Sequence, residues 1–259
     1  MDIKNGNCLE LMKTLPDSSV DLFICDLPYG ETNCKWDSKI DMVEFWKEFK
    51  RLRKTKRTAC IHFCSTKFGY TLIKSNEKMF KMDMVWKKRN KTGGLQSRHR
   101  PMRNHEMVYF FYEQAPKYNR DTYHKRIQAK KEHNIEPPNP ASVVEEKSIY
   151  GCSPEARHGK KAFEPPNPAS VVEEPAEDEP KSMFESTKVF IGKRHHQTEK
   201  PQDILEFFLK YWSDEGDTIL DPTMGSGSTG VACKKLKRKF IGFEMDEKIF
   251  KLAESRINK

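Results

Sequence analysis

The clearest pattern in the chain is an alternation of short apolar runs with amphipathic ones. Val20-Asp21-Leu22-Phe23-Ile24-Cys25 is apolar at nearly every position and closes in the turn residues Pro28 and Gly30, as a strand buried on both faces does. Ala59-Cys60-Ile61-His62-Phe63-Cys64 repeats that pattern, and residues 80–86 and 107–112 predict two further strands. Between these runs the apolar positions change to helical spacing. Met42, Phe45, Trp46, Phe49 and Leu52 share one face of a helix predicted over 41–54, and shorter helices are predicted over 8–15 and 67–75. Ile204, Leu205, Phe208, Leu209 and Trp212 mark another over 202–212. Towards the C-terminus the strand 218–220 leads through a glycine-rich turn into a helix from Val231, and 239–243 is a strand ending at Glu244, with a helix beyond it. Strands alternating with helices predict an α/β fold with a mainly parallel sheet.

The alternation dissolves over 113–195. There an 11-residue segment at 136–146, Glu-Pro-Pro-Asn-Pro-Ala-Ser-Val-Val-Glu-Glu, recurs unchanged at 164–174. Two copies are too few for a solenoid and read as a duplication inside a tolerant, Pro-rich insertion; the other reading is two equivalent arms on a repeated partner. At 259 residues the chain is the size of one large domain, or one domain with an insertion. Its net charge of +9 favours a polyanionic partner such as nucleic acid. The most one-sided segment is 87–103, which holds Lys87, Lys88, Arg89, Lys91, Arg98, Arg100 and Arg103 with no acidic residue, and reads as a loop for phosphate contact. No stretch approaches the roughly 18 apolar residues of a membrane span, and residues 1–5 carry no signal-peptide apolar region, so a cytoplasmic protein is expected. The seven cysteines form no C-x-x-C pair and are expected as reduced thiols, with neither disulfides nor a metal site. His195-His196 lack spaced ligand partners, and His62 is expected as a satisfied core histidine.

Two stretches carry chemistry. Asp26-Leu27-Pro28-Tyr29 stands at the carboxyl end of the first buried strand, where ligands bind in open α/β sheets. Its residue types suit a flat molecule with an exocyclic amine. Asp26 and the Leu27 carbonyl can each accept one N–H, Tyr29 offers a stacking face, and Pro28 removes a competing donor. An ordinary strand end with an Asp cap is the alternative. The second stretch is Asp221-Pro222-Thr223-Met224 with the turn Gly225-Ser226-Gly227-Ser228-Thr229-Gly230. It satisfies G-x-G-x-x-G between strand and helix, with Glu244 ending the next strand to bind ribose hydroxyls. A carboxylate at Asp221 disfavours the pyrophosphate of a dinucleotide and favours the cationic S-adenosylmethionine over NAD. The nucleoside unit lies last in the chain and the amine-gripping strand first, so both chain ends must complete one sheet, a circularly permuted order.

Asp26-Leu27-Pro28-Tyr29, then His196-Gln197-Thr198-Glu199-Lys200-Pro201, then Asp221-Pro222-Thr223-Met224-Gly225-Ser226-Gly227, resembles the β-group amino-methyltransferases of DNA, in which the catalytic motif precedes the cofactor motif. The resemblance covers residues 1–112 and 196–259. It implies a Rossmann-like class I S-adenosylmethionine-dependent sheet, with 113–195 as an inserted target-recognition region. Carried over, Asp26, Leu27, Pro28 and Tyr29 are catalytic and grip a flipped base. Asp221, Gly225, Ser226 and Gly227 line the methionine part of the cofactor, Glu244 takes the ribose, and Met245 lies against the adenine ring. Thr198 and Lys200 complete that pocket, and Asn7, where the family often has Asp, lies near the cofactor adenine. Leu27 replaces a proline common in the family, which matters little because its carbonyl acts. Asp at the first motif position goes with adenine in this family, so adenine N6 is the expected target in double-stranded DNA; cytosine N4, or a regulator that keeps a dead methyltransferase fold, are the alternatives. A homodimer and a cognate restriction enzyme are further partners the family admits.

Overall fold

The computed structural model describes residues 1–30, 39–92, 94, 97–119, 143–145 and 199–259. Eight strands form one sheet: β1 (Asp2–Asn5), β2 (Leu22–Cys25), β3 (Ala59–Cys64), β4 (Phe80–Thr92), β5 (Arg103–Phe111), β6 (Val143–Glu145), β7 (Thr218–Asp221) and β8 (Lys239–Glu244). Their spatial order is β1-β8-β7-β2-β3-β5-β4-β6. The pairs β3–β5 and β5–β4 are antiparallel and the others parallel. Both ends of the chain complete the sheet, as predicted. Leu22 and Phe23 of β2 pair with Ile219 and Leu220 of β7, and β1 pairs with β8.

Successive residues of each strand face opposite layers. Leu22, Ile24, Ile61, Phe63, Val108 and Phe110 face the layer of α4 (Gln202–Trp212), α5 (Ser228–Lys235) and α6 (Glu247–Asn258). Phe23, Cys25, Cys60, Cys64 and Phe111 face α1 (Cys8–Lys13), α2 (Met42–Leu52) and α3 (Thr66–Ser75). Cover on both faces is why these strands read as unbroken apolar runs. Helices α1, α2, α3 and α6 start where Asn7, Asp41, Ser65 and Asp246 accept hydrogen bonds from first-turn N–H groups. His62 lies in the core among the rings of Phe45, Trp46 and Phe111, but where a satisfied histidine was expected its buried Nδ1 has no hydrogen-bond partner among the described residues.

The structure departs from the sequence expectations in three places. Residues 87–103 are not a loop throughout: β4 continues to Thr92 and β5 begins at Arg103, with Lys87 opposite His105 and a register shift before the Thr92–Arg103 pair. Such a ladder rests on cross-strand backbone bonds, so it outruns the apolar pattern that marks the core. Second, order extends past 112. The Asn119 side chain donates to the carbonyls of Lys210 at 3.3 Å and Ser213 at 3.0 Å, capping the end of α4, and Tyr118 stacks on Tyr211. β6, inside the first copy of the repeat, pairs in parallel with Val85, Trp86 and Lys87 as the sheet edge. The second copy, His195, His196, Cys34 and Cys152 lie outside the described residues. Third, α5 begins at Ser228, before Val231, because Gly227 with φ +78° closes the turn directly onto it. Among the described residues no helix is long and apolar enough to cross a membrane, and Cys8, Cys25, Cys60, Cys64 and Cys233 are free thiols.

Candidate active site

β2 is buried at all four positions, and the chain leaves its carboxyl end at Asp26. Leu27 turns into the α1–α3 layer and anchors the turn with 1% exposure. The Tyr29 ring lies on Phe68, with centroids 5.0 Å apart and planes at 23°. Its hydroxyl donates to Asp26 Oδ1 at 3.1 Å. Burial, helped by the carboxylates of Asp26 and Glu106, holds the phenol well above its ordinary range, so Tyr29 stays a donor. Lys200 Nζ donates to Asp26 Oδ2 at 2.6 Å. The Asp26 main-chain carbonyl accepts from Thr223 Oγ1 at 3.0 Å. That bond ties the tetrapeptide to the Asp221-Pro222-Thr223-Met224 segment, which the β2–β7 pairing brings alongside.

The glycines of the turn divide by function. A Cβ built on Gly225, whose φ is +52°, meets nothing within 4 Å. On Gly227 it would lie 3.0 Å from Ala253 Cβ, and on Gly230 2.6 Å from Ile257 Cδ1 and 2.8 Å from Phe240 Cε1. Gly225 therefore leaves an open face for a ligand, while the other two let α5 pack on α6 and β8. Glu244 accepts the Gly225 N–H at 3.1 Å and the Asp246 N–H at 2.8 Å, with carboxylate lone pairs left over; burial raises its carboxyl above the ordinary range. Asp221 accepts from Thr229 Oγ1 at 2.7 Å and from the Thr223 N–H at 3.2 Å. Burial dominates over those bonds and, with repulsion from Asp26 and Glu244, pushes its carboxyl to about 7. The carboxylates of Asp26, itself paired with Lys200, and Glu244 thus act on Asp221 in a chain of net charge +9. Such a local field suits a cation and opposes a pyrophosphate, and with the open face at Gly225 the donor set fits S-adenosylmethionine.

The remaining predicted residues fall as follows. Asn7 caps α1, its Oδ1 accepting the Leu9 N–H at 2.9 Å. Ser226 is buried, with its carbonyl accepting from Arg256 at 2.7 Å. Met245 is 54% exposed beside Glu244. Lys200, expected in the cofactor pocket, is bonded to the Asp26 carboxylate, with its ammonium 3.7 Å from Glu106 Oε2 and 5.2 Å from the Phe63 ring centre. Burial lowers its pKa, but Asp26 and Glu106 outweigh this and leave it raised. Burial likewise raises that of Glu106, and Lys200 and Lys88 bring it below the ordinary carboxylate range. Lys88, expected on DNA, forms an ion pair with Glu106. Arg98, Arg100 and Arg103 are exposed on and beside the hairpin. Thr198 and the Arg89 side chain lie outside the described residues. Glu106 was not singled out from the sequence; the signal was its place, two residues before Val108 and four before Phe110, on the inward row of a strand. Cys25, Cys60 and His62 bring three ligand-type atoms within 4.8 Å of one another, all sealed from solvent.

The sequence profile of the N6/N4 methylase family, described as DNA methylase, matches residues 20–255. The type II methyltransferase M1.MboII of Moraxella bovis is 26% identical over 99% of this chain and 96% of its own length. M.HinfI of Haemophilus influenzae is 26% identical over 98% of this chain and 67% of its own. M2.LlaDCHI of Lactococcus lactis subsp. cremoris reaches 44% identity across 30% of this chain and 28% of that protein. Among solved structures, the M1.HpyAVI–SAM complex has a TM-score of 0.59 at 21% identity, covering 99% of both chains. The PvuII cytosine-N4-specific DNA methyltransferase has a TM-score of 0.65 at 15% identity, covering 98% of this chain and 85% of its own. Both share the fold.

Proposed function

This chain belongs to the N6/N4 DNA methylase family, and on that premise we propose that it methylates the exocyclic N6 amine of an adenine turned out of double-stranded DNA, with S-adenosylmethionine as cofactor. The observation that carries the reading is the Thr223–Asp26 hydrogen bond, which joins the amine-gripping tetrapeptide to the turn with the open Gly225 face. Asp26 and the Leu27 carbonyl accept the two amine hydrogens. The nitrogen is thereby drawn toward tetrahedral geometry and its lone pair is freed from the ring. Tyr29, backed by Phe68, supports the flipped base, with Pro28 stiffening the turn. S-adenosylmethionine supplies an electrophilic methyl group. Asp221 meets its cationic part, Gly225, Ser226 and Gly227 form the wall beside it, Glu244 takes the ribose hydroxyls, and Asn7 and Met245 flank the adenine. Asp26 need not be a strong base, because the amine proton becomes acidic only after methyl transfer. Adenine is assigned from the Asp that opens the tetrapeptide; the cytosine-N4 reading draws on the PvuII relative in fold. Lys87, Arg98, Arg100 and Arg103 are assigned to the DNA backbone and 113–195 to target recognition.

Asp26→Ala tests this. Methyl transfer to duplex DNA should fall by at least about 100-fold while cofactor affinity is kept. Transfer at the wild-type rate overturns the reading.

A further inference from the structure

Both carboxylate oxygens of Asp26 are already engaged, Oδ1 by the Tyr29 hydroxyl and Oδ2 by the Lys200 ammonium. A cation held there opposes the positive charge that grows on the amine nitrogen as it is methylated. A second carboxylate stands next to it. Glu106 Oε2 is buried, has no hydrogen-bond partner among the described residues, and lies 3.7 Å from Lys200 Nζ. The other oxygen of Glu106 is pinned by Lys88, whose ammonium sits 4.9 Å from the Trp86 ring centre. Closing the Lys200–Glu106 gap to an ordinary hydrogen bond takes a shift of about 1 Å, well within the reach of a lysine side chain.

From this geometry we infer that Lys200 is a two-position cation: it rests on Asp26 and moves onto Glu106 Oε2 when the target amine takes its place at Asp26 Oδ2. Glu106 is then a positioning residue that acts through Lys200. At rest the two lysines balance the two carboxylates, and the site keeps Asp26 oriented without an unpaired buried charge. After the shift Asp26 faces the developing ammonium with its charge uncompensated. The inference rests on the function proposed above and adds to it a gate that the base must displace.

The test is a suppression experiment with purified full-length chain, labelled S-adenosylmethionine and unmethylated genomic duplex DNA. Glu106→Gln removes the second charge and should lower kcat at least tenfold, with KM and Kd for the cofactor unchanged. Lys200→Met removes the cation to be displaced, so the double variant should be faster than Glu106→Gln alone and close to Lys200→Met. Should Glu106→Gln lose cofactor binding, Glu106→Asp serves in its place. It keeps the charge but withdraws it by one methylene, with the same loss of kcat and the same suppression expected. Wild-type kcat in the Glu106 variant, or losses that multiply in the double variant, overturn the two-position lysine while leaving the methyltransferase reading intact. A wild-type chain that binds the cofactor and transfers nothing to DNA overturns that reading itself.

Discussion

Alanine at Gly225 separates what the glycine turn does for folding from what it does for the ligand. The residue has φ +52°, and its added Cβ meets nothing within 4 Å, so the change brings backbone strain without steric conflict. Strain in the left-handed region is about 1–2 kcal/mol. At about 2–4 °C per kcal/mol for a chain of this size, Tm should fall by about 2–8 °C and the protein should remain folded at room temperature. The methyl group stands in the open face, so cofactor affinity should drop at least tenfold, about 1.4 kcal/mol or more. Gly230→Ala is the converse. It lies in a helix without left-handed strain, but its Cβ would sit 2.6 Å from Ile257 Cδ1 and 2.8 Å from Phe240 Cε1. Overpacking of that kind costs about 1–3 kcal/mol, with the cofactor face untouched. Thermal melts and calorimetric titration with S-adenosylmethionine on both variants give the two quantities. A Gly225→Ala protein that binds the cofactor like wild type, or a Gly230→Ala protein that melts normally and cannot bind it, would refute the division of the turn into an open and a packed side.

Three further predictions follow from the same geometry. The Asp221 carboxyl is raised from 3.8 to about 7, so the native state holds a proton that the unfolded chain has released between those values. Cofactor-free stability should therefore fall as pH rises through that window while affinity for the cationic cofactor increases, and Asp221→Asn should flatten both trends in melts and titrations. Arg98→Ala and Arg100→Ala should each reduce the slope of log affinity for DNA against log salt by about 0.9, measured by fluorescence anisotropy; unchanged slopes take the hairpin off the phosphate backbone. Phe208 is fully buried against Phe63, Phe110 and Trp212, so Phe208→Ala should cost about 3–5 kcal/mol in denaturant unfolding.

The parts of this molecule that the sequence made legible are those where burial and backbone geometry impose residue types. β2 must be apolar at every position because helices cover both of its faces, and the turn after β7 must carry glycine because α6 leaves no room for a Cβ at Gly227 and Gly230. The order of the two motifs even foretold that β2 and β7 are neighbours. What was hidden depends on contacts between distant residues. Lys200 was read with the cofactor from the family resemblance alone, and its bond to Asp26 spans 174 residues. Glu106 looks like one charge in a polar hairpin until the strand period puts it on the inward row with Val108 and Phe110. The outer part of the β4–β5 ladder is made by backbone pairing, which leaves no apolar trace, and the edge strand β6 is only three residues long, too short for a period to show.

The most direct test of the central claim is the identity of the methylated nucleoside. The chain is incubated with labelled S-adenosylmethionine and unmethylated duplex DNA, the DNA is digested, and the nucleosides are resolved by mass spectrometry beside an Asp26→Ala control. Labelled 6-methyladenine that disappears in the control is the expected result. Labelled 4-methylcytosine would contradict the base assignment, and 6-methyladenine produced equally by Asp26→Ala would contradict the role of the carboxylate at the end of β2.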